Sequence, residues 1–337
     1  MTAVSRTVAA GDIVQNALRP SMRQPSSVRV AVVCGRVRSW PISLTAVAIT
    51  MPSRAIAASD SPNAAVRRSS PAATAVSEPG QDLTHPVTTA TRTATGWRVD
   101  GAKIFCTMSP AATVLFTTVS FFDEDGDERY GYARIPATTP GVVLHDDWDA
   151  LGMRASGSHS VTFDEVQLPA SALRGGFPVG SRGAYLEANL TAGLFHAASS
   201  LGIAESAQEI ATRPLADRDL DARAQMLVAE GAIALGAARA SLARAALLTE
   251  AYLDEGEGVV DEVFAEIQGA KTFINETAVR IVDGALALTG GAGYRATHPL
   301  AKLYRDVRAG AFMHPLGANR AYEFVGEVAL GRQPSVH

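Results

Sequence analysis

Two cysteines, Cys34 and Cys106, are the entire thiol inventory of this 337-residue chain. That excludes a disulfide framework and a four-thiolate zinc site, and it suits a reducing compartment. Charge is also scarce: 19% of residues are charged and the formal net charge is −4, so no global basic field exists to hold nucleic acid or an anionic membrane. The apolar stretch 42–51 is bounded by Arg38, Pro41 and Arg54 and is too short to span a bilayer. What the chain has in quantity is apolar side chain, 47%, a globular composition long enough for two or three domains. The expectation is a soluble, cytoplasmic protein with no metal, membrane or nucleic-acid partner.

The charge is unevenly spread. Residues 1–76 carry nine arginines, no lysine and two acids, Asp12 and Asp60. This net +7 leaves −11 for residues 77–337. Six prolines from Pro20 to Pro71 interrupt the Val- and Ala-rich runs of this first quarter, and no helical stripe survives beyond about three turns. A weakly ordered, divergent segment is expected over 1–76.

From Pro86 the period becomes two. Runs at 88–95, 97–99, 103–107, 114–122, 128–135, 141–145 and 159–168 are rich in Thr, Val and aromatics. They are separated by Thr95-Gly96, Asp100-Gly101 and the acidic turn Asp123 to Asp127, which read as hairpin turns. These predict a β-barrel or sandwich over 77–180, with strands confined to about 86–170. After Gly183 the period changes to that of helices, with long Ala- and Leu-rich segments at 184–210, 221–254, 259–288 and 311–330. In the third, Val260, Val263, Ile267, Ala270, Ile274, Ala278, Ile281, Ala285 and Leu288 step by threes and fours, the seam of a helix in an antiparallel four-helix bundle over 184–332. Gly256 and Gly290 stand where helix-ending glycines belong.

Several tempting motifs fail on their spacing. Asp123, Asp125 and Asp127 match the first three ligand positions of a calcium loop, but Gly126 is fourth instead of sixth and Arg134 stands where glutamate is needed. Gly290-Gly291-Ala292-Gly293 lacks the Lys-Ser/Thr of a phosphate loop and follows a helix, whereas a dinucleotide fingerprint follows a strand. Ser156, Ser158, His159 and Ser160 have no G-x-S-x-G elbow around them. His145-Asp146-Asp147 lacks a third metal ligand and reads as a polar strand end.

Three segments together resemble the acyl-CoA dehydrogenase family. They are Ser77-Glu78-Pro79-Gly80; Asp100 through Thr107; and Trp148-Asp149-Ala150-Leu151-Gly152-Met153-Arg154 leading through Ser158 to Val166 and Pro169. Gly290-Gly291-Ala292-Gly293-Tyr294, His298-Pro299-Leu300 and Tyr304-Arg305-Asp306 resemble that family's last helical pair. The resemblance covers residues 76–330 and implies an α+β multidomain fold, a middle β-domain followed by a helical bundle, assembled as a homotetramer or homodimer. It implies FAD as cofactor: Ser77 and its neighbouring amides on the flavin ring, Phe105 packed against the ring, Thr107 near its N5 edge, and Gly290, Gly291 and Gly293 approaching the AMP half from another subunit. An aromatic wall with a few donors is what an isoalloxazine needs.

The departures from the family bear on function. The family's N-terminal helical domain is replaced by 76 residues of unlike composition, and the Gly-Ser that helps hold CoA is absent after Gly80. The phosphate-binding Arg-x-x-Phe-Gly element is missing between Pro214 and Gln225, where Arg218 and Arg223 supply the positive charge. Counting nine residues from Arg305 to the family's glutamate base reaches His314, and the alternative base position falls near Ala192 and Gly193 with Glu187 more than a turn away. His314, expected at a helix start, is the candidate catalytic residue. Three readings stand: a flavin dehydrogenase acting on an acyl thioester with an electron-transfer partner; a monooxygenase of the same fold that receives reduced flavin from a reductase and oxygenates an aromatic ring; and a non-catalytic relative that has lost its pocket.

Overall fold

The computed structural model describes residues 71–336 apart from 81, 83 and 257. The expectation of a weakly ordered segment over 1–70 lies outside the described residues. An eight-stranded sheet comes first: β1 (Ala72–Ala75), β2 (Thr89–Arg92), β3 (Gly96–Cys106), β4 (Val114–Phe122), β5 (Glu128–Pro136), β6 (Val142–Leu144), β7 (His159–Pro169) and β8 (Leu173–Pro178). The strand order is β6-β7-β3-β2-β4-β5-β8, with β1 parallel to β4. Six of the strands send Val, Ala and aromatic side chains into one core, where Trp97 meets Phe121 edge-on at 5.4 Å. This is the period-two pattern at work: alternate side chains face inward.

The sheet is longer than its sequence signal. It begins at Ala72, inside the segment expected to be unstructured, and ends at Pro178. The β1 sequence AATA carries no β-branched apolar residue, yet Ala73 and Ala75 are fully buried through pairing with β4. Tertiary pairing overrides a weak local propensity. The Asp100-Gly101 pair is a second correction. It is a β-bulge within one continuous β3, with the register against β7 shifting between Val99 and Gly101. Gly101 is required there because a Cβ would lie 2.5 Å from the Thr88 hydroxyl and 2.8 Å from its Cα.

A buried ion pair ties the sheet together. Lys103 Nζ donates to Glu78 Oε1 at 2.6 Å, and both side chains are essentially inaccessible. The same Oε1 accepts from the Thr88 amide (2.8 Å) and hydroxyl (2.6 Å), and Oε2 accepts from Val87 N at 2.7 Å. Burial opposes ionisation of Glu78, but the bonds from Lys103, Thr88 and Val87 prevail and hold its carboxyl below the usual range.

The bundle follows with α1 (Arg182–Thr212), α2 (Ala222–Glu255), α3 (Val260–Thr289), α4 (Pro299–Asp306), a 3₁₀ turn (Val307–Phe312) and α5 (Ala318–Ala329). The seam read on α3 is buried from Val263 to Ala285, packed against α1, α2 and α5. Asp221 caps α2 by accepting from Ala224 N at 2.7 Å, and Gly256 and Gly290 end α2 and α3 with φ of 70° and 59°. The predicted fourth helix over 311–330 is corrected to 12 residues, because Gly310, Pro315 and Gly317 break the pattern ahead of it. His314 therefore lies in the loop before α5, and Gly317 is the N-cap. Among the described residues, one helix, Ala222–Asp254, is long and apolar enough by length and composition to cross a membrane, and 22% of that window is buried.

Sheet and bundle meet at two motifs. Gly152 sits against the Arg305 carbonyl, where a Cβ would approach to 2.2 Å. Next to it, Met153 N donates to Asp306 Oδ1 at 2.7 Å, and the buried Asp306 is also ion-paired with Lys302.

Lys103→Met should lower unfolding stability by about 3–5 kcal/mol, since it strands a buried carboxylate, and adding Glu78→Gln should recover part of that loss; urea denaturation measures both. Because the folded pKa of Glu78 is depressed, its contribution is present above the ordinary carboxylate value. It should be lost as pH falls through the lower folded value, read as a drop in the melting temperature below about pH 4.5. Gly152→Ala should cost about 1–3 kcal/mol through overpacking against Arg305, and a melting temperature equal to that of the native chain would remove this junction from the account.

Candidate functional site

The end of β3 departs from extended geometry where the flavin contacts are expected. Phe105 has φ +57° and Met108 φ +64°, flanking Thr107. Left-handed backbone at non-glycine residues costs about 1–3 kcal/mol and persists where surrounding bonds enforce it. Here Ile104 N donates to Ser77 O (2.9 Å), Thr107 N to Phe105 O (2.9 Å) and Met108 N to Ser156 O (2.8 Å). The consequence is that Phe105 does not alternate inward as a strand residue would. Its ring stands 60% exposed, edge-on to Trp148 with centroids 6.2 Å apart.

Polar groups line this aromatic surface. Thr107 Oγ1 is 2.9 Å from Ser158 Oγ, which is 2.7 Å from Ser156 Oγ, giving a chain of three hydroxyls with its exposed end at Thr107. His159 is a support: its Nδ1 accepts from the Asp147 and Trp148 amides at 2.9 and 3.0 Å, fixing the loop that carries Trp148. Trp148 Nε1 in turn donates to Met153 O at 3.2 Å. The hydrolase-like run of serines with His159 thus serves one wall. The acidic turn is a solvated hairpin, with Asp123 accepting from the Asp125 and Asp127 amides, and there is no metal-binding cluster among the described residues.

A second group lies in the bundle. His314 Nε2 is 2.5 Å from Asn189 Oδ1, and the imidazole meets the Tyr185 ring edge-on at 6.4 Å. Among the described residues the fully buried Lys271 faces no carboxylate, and it donates instead to the carbonyls of Leu316 (2.6 Å) and Met313 (2.7 Å), gripping the loop on both sides of His314. Burial pushes Lys271 down to about 7 and His314 down to about 4, with His196 and Lys271 adding to the latter. His196 is likewise pushed down to about 4, by burial first and Lys271 second. At neutral pH both imidazoles are uncharged. Beyond Lys271, a cavity of about 380 Å³ opens between α3 and the 307–312 turn, with Leu151, Val279, Val307 and Phe312 on its apolar walls.

The structure brings Ser77, Phe105 and Thr107 together and sets His314 in the bundle group. Gly290 and Gly291 are exposed in the turn that closes α3, Gly293 is buried against Thr289, and Tyr294 beside it is 86% exposed. Gly193 packs so tightly on α3 that a Cβ would fall 2.6 Å from Ile267, and with Ala192 beside it the alternative base position carries no ionisable side chain. Glu187 is exposed and accepts from Tyr252 Oη at 3.0 Å. Arg218 and Arg223 are both exposed.

Asn189, His196, Gln268, Lys271 and Asn275 were not singled out from sequence. A signal existed for three of them. Gln268, Lys271 and Asn275 adjoin seam residues Ile267, Ala270 and Ile274, so their polar groups fall on the buried face of α3. Among the described residues Gln268 has no partner at either amide end, an arrangement costing about 1–3 kcal/mol per group.

Residues 73–166 match the family model for the acyl-CoA dehydrogenase middle domain, and residues 194–315 that for the acyl-CoA dehydrogenase C-terminal domain. L-evernosamine nitrososynthase of a Micromonospora species is 36% identical over 243 residues, covering 70% of this chain and 58% of that protein. The chain thus spans under two thirds of the length of the curated relatives it matches first. Among solved structures, KijD3 in complex with FMN and dTDP-3-amino-2,3,6-trideoxy-4-keto-3-methyl-D-glucose superposes with a TM-score of 0.70 at 32% identity, over 79% of this chain and 66% of that one. FMN-bound TdsC from Paenibacillus sp. A11-2 gives 0.71 at 25% identity, over 81% and 74%. Fold, motif order and both domain matches agree: the chain belongs to the acyl-CoA dehydrogenase family of flavin-dependent enzymes.

Proposed function

We propose that this protein is a flavin-dependent monooxygenase that oxygenates the amine of a nucleotide-linked amino sugar, using reduced flavin delivered by a separate reductase. The observation that carries this reading is the neutral imidazole of His314 at the position where the family's carboxylate base is expected. Removing an α-proton from an acyl thioester needs a competent base, and a histidine held near 4 among Lys271 and His196 is a weak one. A weak neutral base suits a different proton. When an amine nitrogen accepts an oxygen atom it becomes a hydroxylammonium, far more acidic than the parent ammonium, and loses its proton readily.

The site fits a flavin ring. An exposed aromatic wall at Phe105 and Trp148, with the Thr107 hydroxyl at its edge, is the surface a planar, partly polar heterocycle requires. Ser77, Phe105 and Thr107 would hold that ring, and the Ser158 and Ser156 hydroxyls keep Thr107 Oγ1 oriented. Bound reduced flavin supplies the two electrons with which dioxygen gives one atom to the substrate nitrogen and one to water. The substrate class is supported by the amino-sugar nitrososynthases among the relatives and by the dTDP-amino sugar in the KijD3 complex. The apolar face that α2 leaves exposed at Met226, Ile233 and Leu247 supports a homo-oligomer in which a second copy covers it.

The test is product mass. Incubation of the purified protein with a dTDP-amino sugar, a flavin reductase, FMN or FAD and oxygen should convert the amine to a hydroxylamine or nitroso product. An acyl-CoA should fail to bleach bound FAD without oxygen. Bleaching by acyl-CoA with no oxygenated sugar would establish the dehydrogenase reading instead. His314→Ala should lower turnover about a hundredfold with flavin affinity retained, the size expected for losing a proton acceptor. Thr107→Val should weaken flavin binding by about 0.5–1.5 kcal/mol, a few-fold in Kd, read by fluorescence titration.

A further inference from the structure

Asn189 lies one helical turn beyond Tyr185 on α1. Its Nδ2 donates to the Tyr185 carbonyl at 2.8 Å. A carbonyl oxygen only accepts, so the amide must turn its NH₂ end to the helix, and Oδ1 is left at the other end. That oxygen is 2.5 Å from His314 Nε2. It too only accepts, so Nε2 must carry the proton and Nδ1 must hold the lone pair. The loop that carries the ring is held in place. Tyr185 packs edge-on against the imidazole while its Oη donates to Pro315 O at 3.2 Å, and Lys271 holds the carbonyls of Met313 and Leu316 on either side.

The geometry points to Asn189 as the positioning residue of this site: it selects the Nε2–H tautomer of His314 and makes Nδ1 the nitrogen that takes up a proton. A carboxylate in the same place would select the same tautomer and also stabilise the imidazolium. The carboxamide selects without charging. The groups facing His314 reinforce that outcome, because Tyr185 and His196 on α1 and Lys271 on α3 supply no negative charge. The use of Nδ1 in turnover rests on the monooxygenase reading above, whereas the tautomer does not.

Protein labelled with ¹⁵N in its histidine rings separates the two. The His314 signals are identified as those missing in His314→Ala. Long-range ¹H–¹⁵N correlation spectra of the native protein at pH 7 should show His314 with a protonated Nε2 and an unprotonated Nδ1. In Asn189→Leu the ring should populate both tautomers, and kcat should fall about tenfold with KM little changed. Asn189→Asp keeps the shape of the side chain and should raise the His314 titration midpoint by about one to three pH units, carrying the acid limb of the kcat profile upward with it. A native Nδ1–H tautomer, or a tautomer unchanged in a folded Asn189→Leu, would overturn the assignment. If the spectra behave as expected while turnover ignores His314→Ala, the tautomer assignment stands and the monooxygenase role of His314 falls.

Discussion

Glu78 and Lys103 meet where water does not reach, and the geometry of the exposed aromatic surface at Phe105 follows from their bond. A buried carboxylate without partners would be untenable. The chain from Val76 to Thr88 is therefore drawn against β3 until Thr88, Val87 and Lys103 satisfy both oxygens. That approach requires a glycine at 101, because Thr88 occupies the space a side chain would take. It also brings Ser77 into register with Ile104, one residue before the backbone turns left-handed at Phe105. The motif residues Ser77, Glu78, Gly101, Lys103 and Phe105 thus serve one contact.

The second constraint joins the two halves. A residue with any side chain at 152 would push the Trp148 loop away from Arg305, and a residue at 306 without a side-chain acceptor would leave the Met153 amide without its buried partner. The loop that supplies Trp148 to the aromatic wall is anchored at both ends, by His159 at the sheet and by Asp306 at the bundle. Preorganisation of this kind lets a rigid scaffold present a strained, exposed aromatic without collapse onto its own core.

The bundle site rests on an unusual use of lysine. Lys271 is buried with carbonyl acceptors alone, and this arrangement gains little from charge, as its lowered pKa shows. Its effect is geometric: the loop backbone is fixed at Met313 and Leu316, on both sides of His314. Burial first, with His196 and Lys271 adding to it and no facing carboxylate among the described residues, then keeps the imidazole neutral. Where the family's carboxylate is expected to bring negative charge to the reacting centre, this chain presents a lone pair.

By itself the sequence determined the order of a β-domain and a helical bundle, because the change from period two to period 3.6 is a property of consecutive residues. It also located the α3 seam from Val263 to Ala285 and singled out Ser77, Phe105, Thr107 and His314, since local motifs carry those positions. The extent of the sheet was not legible, as Ala72–Ala75 becomes a strand through pairing with β4 forty residues away. The Asp100-Gly101 pair has the composition of a turn, and contact with Thr88 makes it a bulge. Asn189, His196 and Lys271 came to His314 through the packing of α1 against α3, a relation between residues far apart in the chain that no local pattern encodes. The tautomer and charge of His314 were likewise decided there, because a ring's protonation depends on which atoms face it across space, and those partners exist only once the helices have docked.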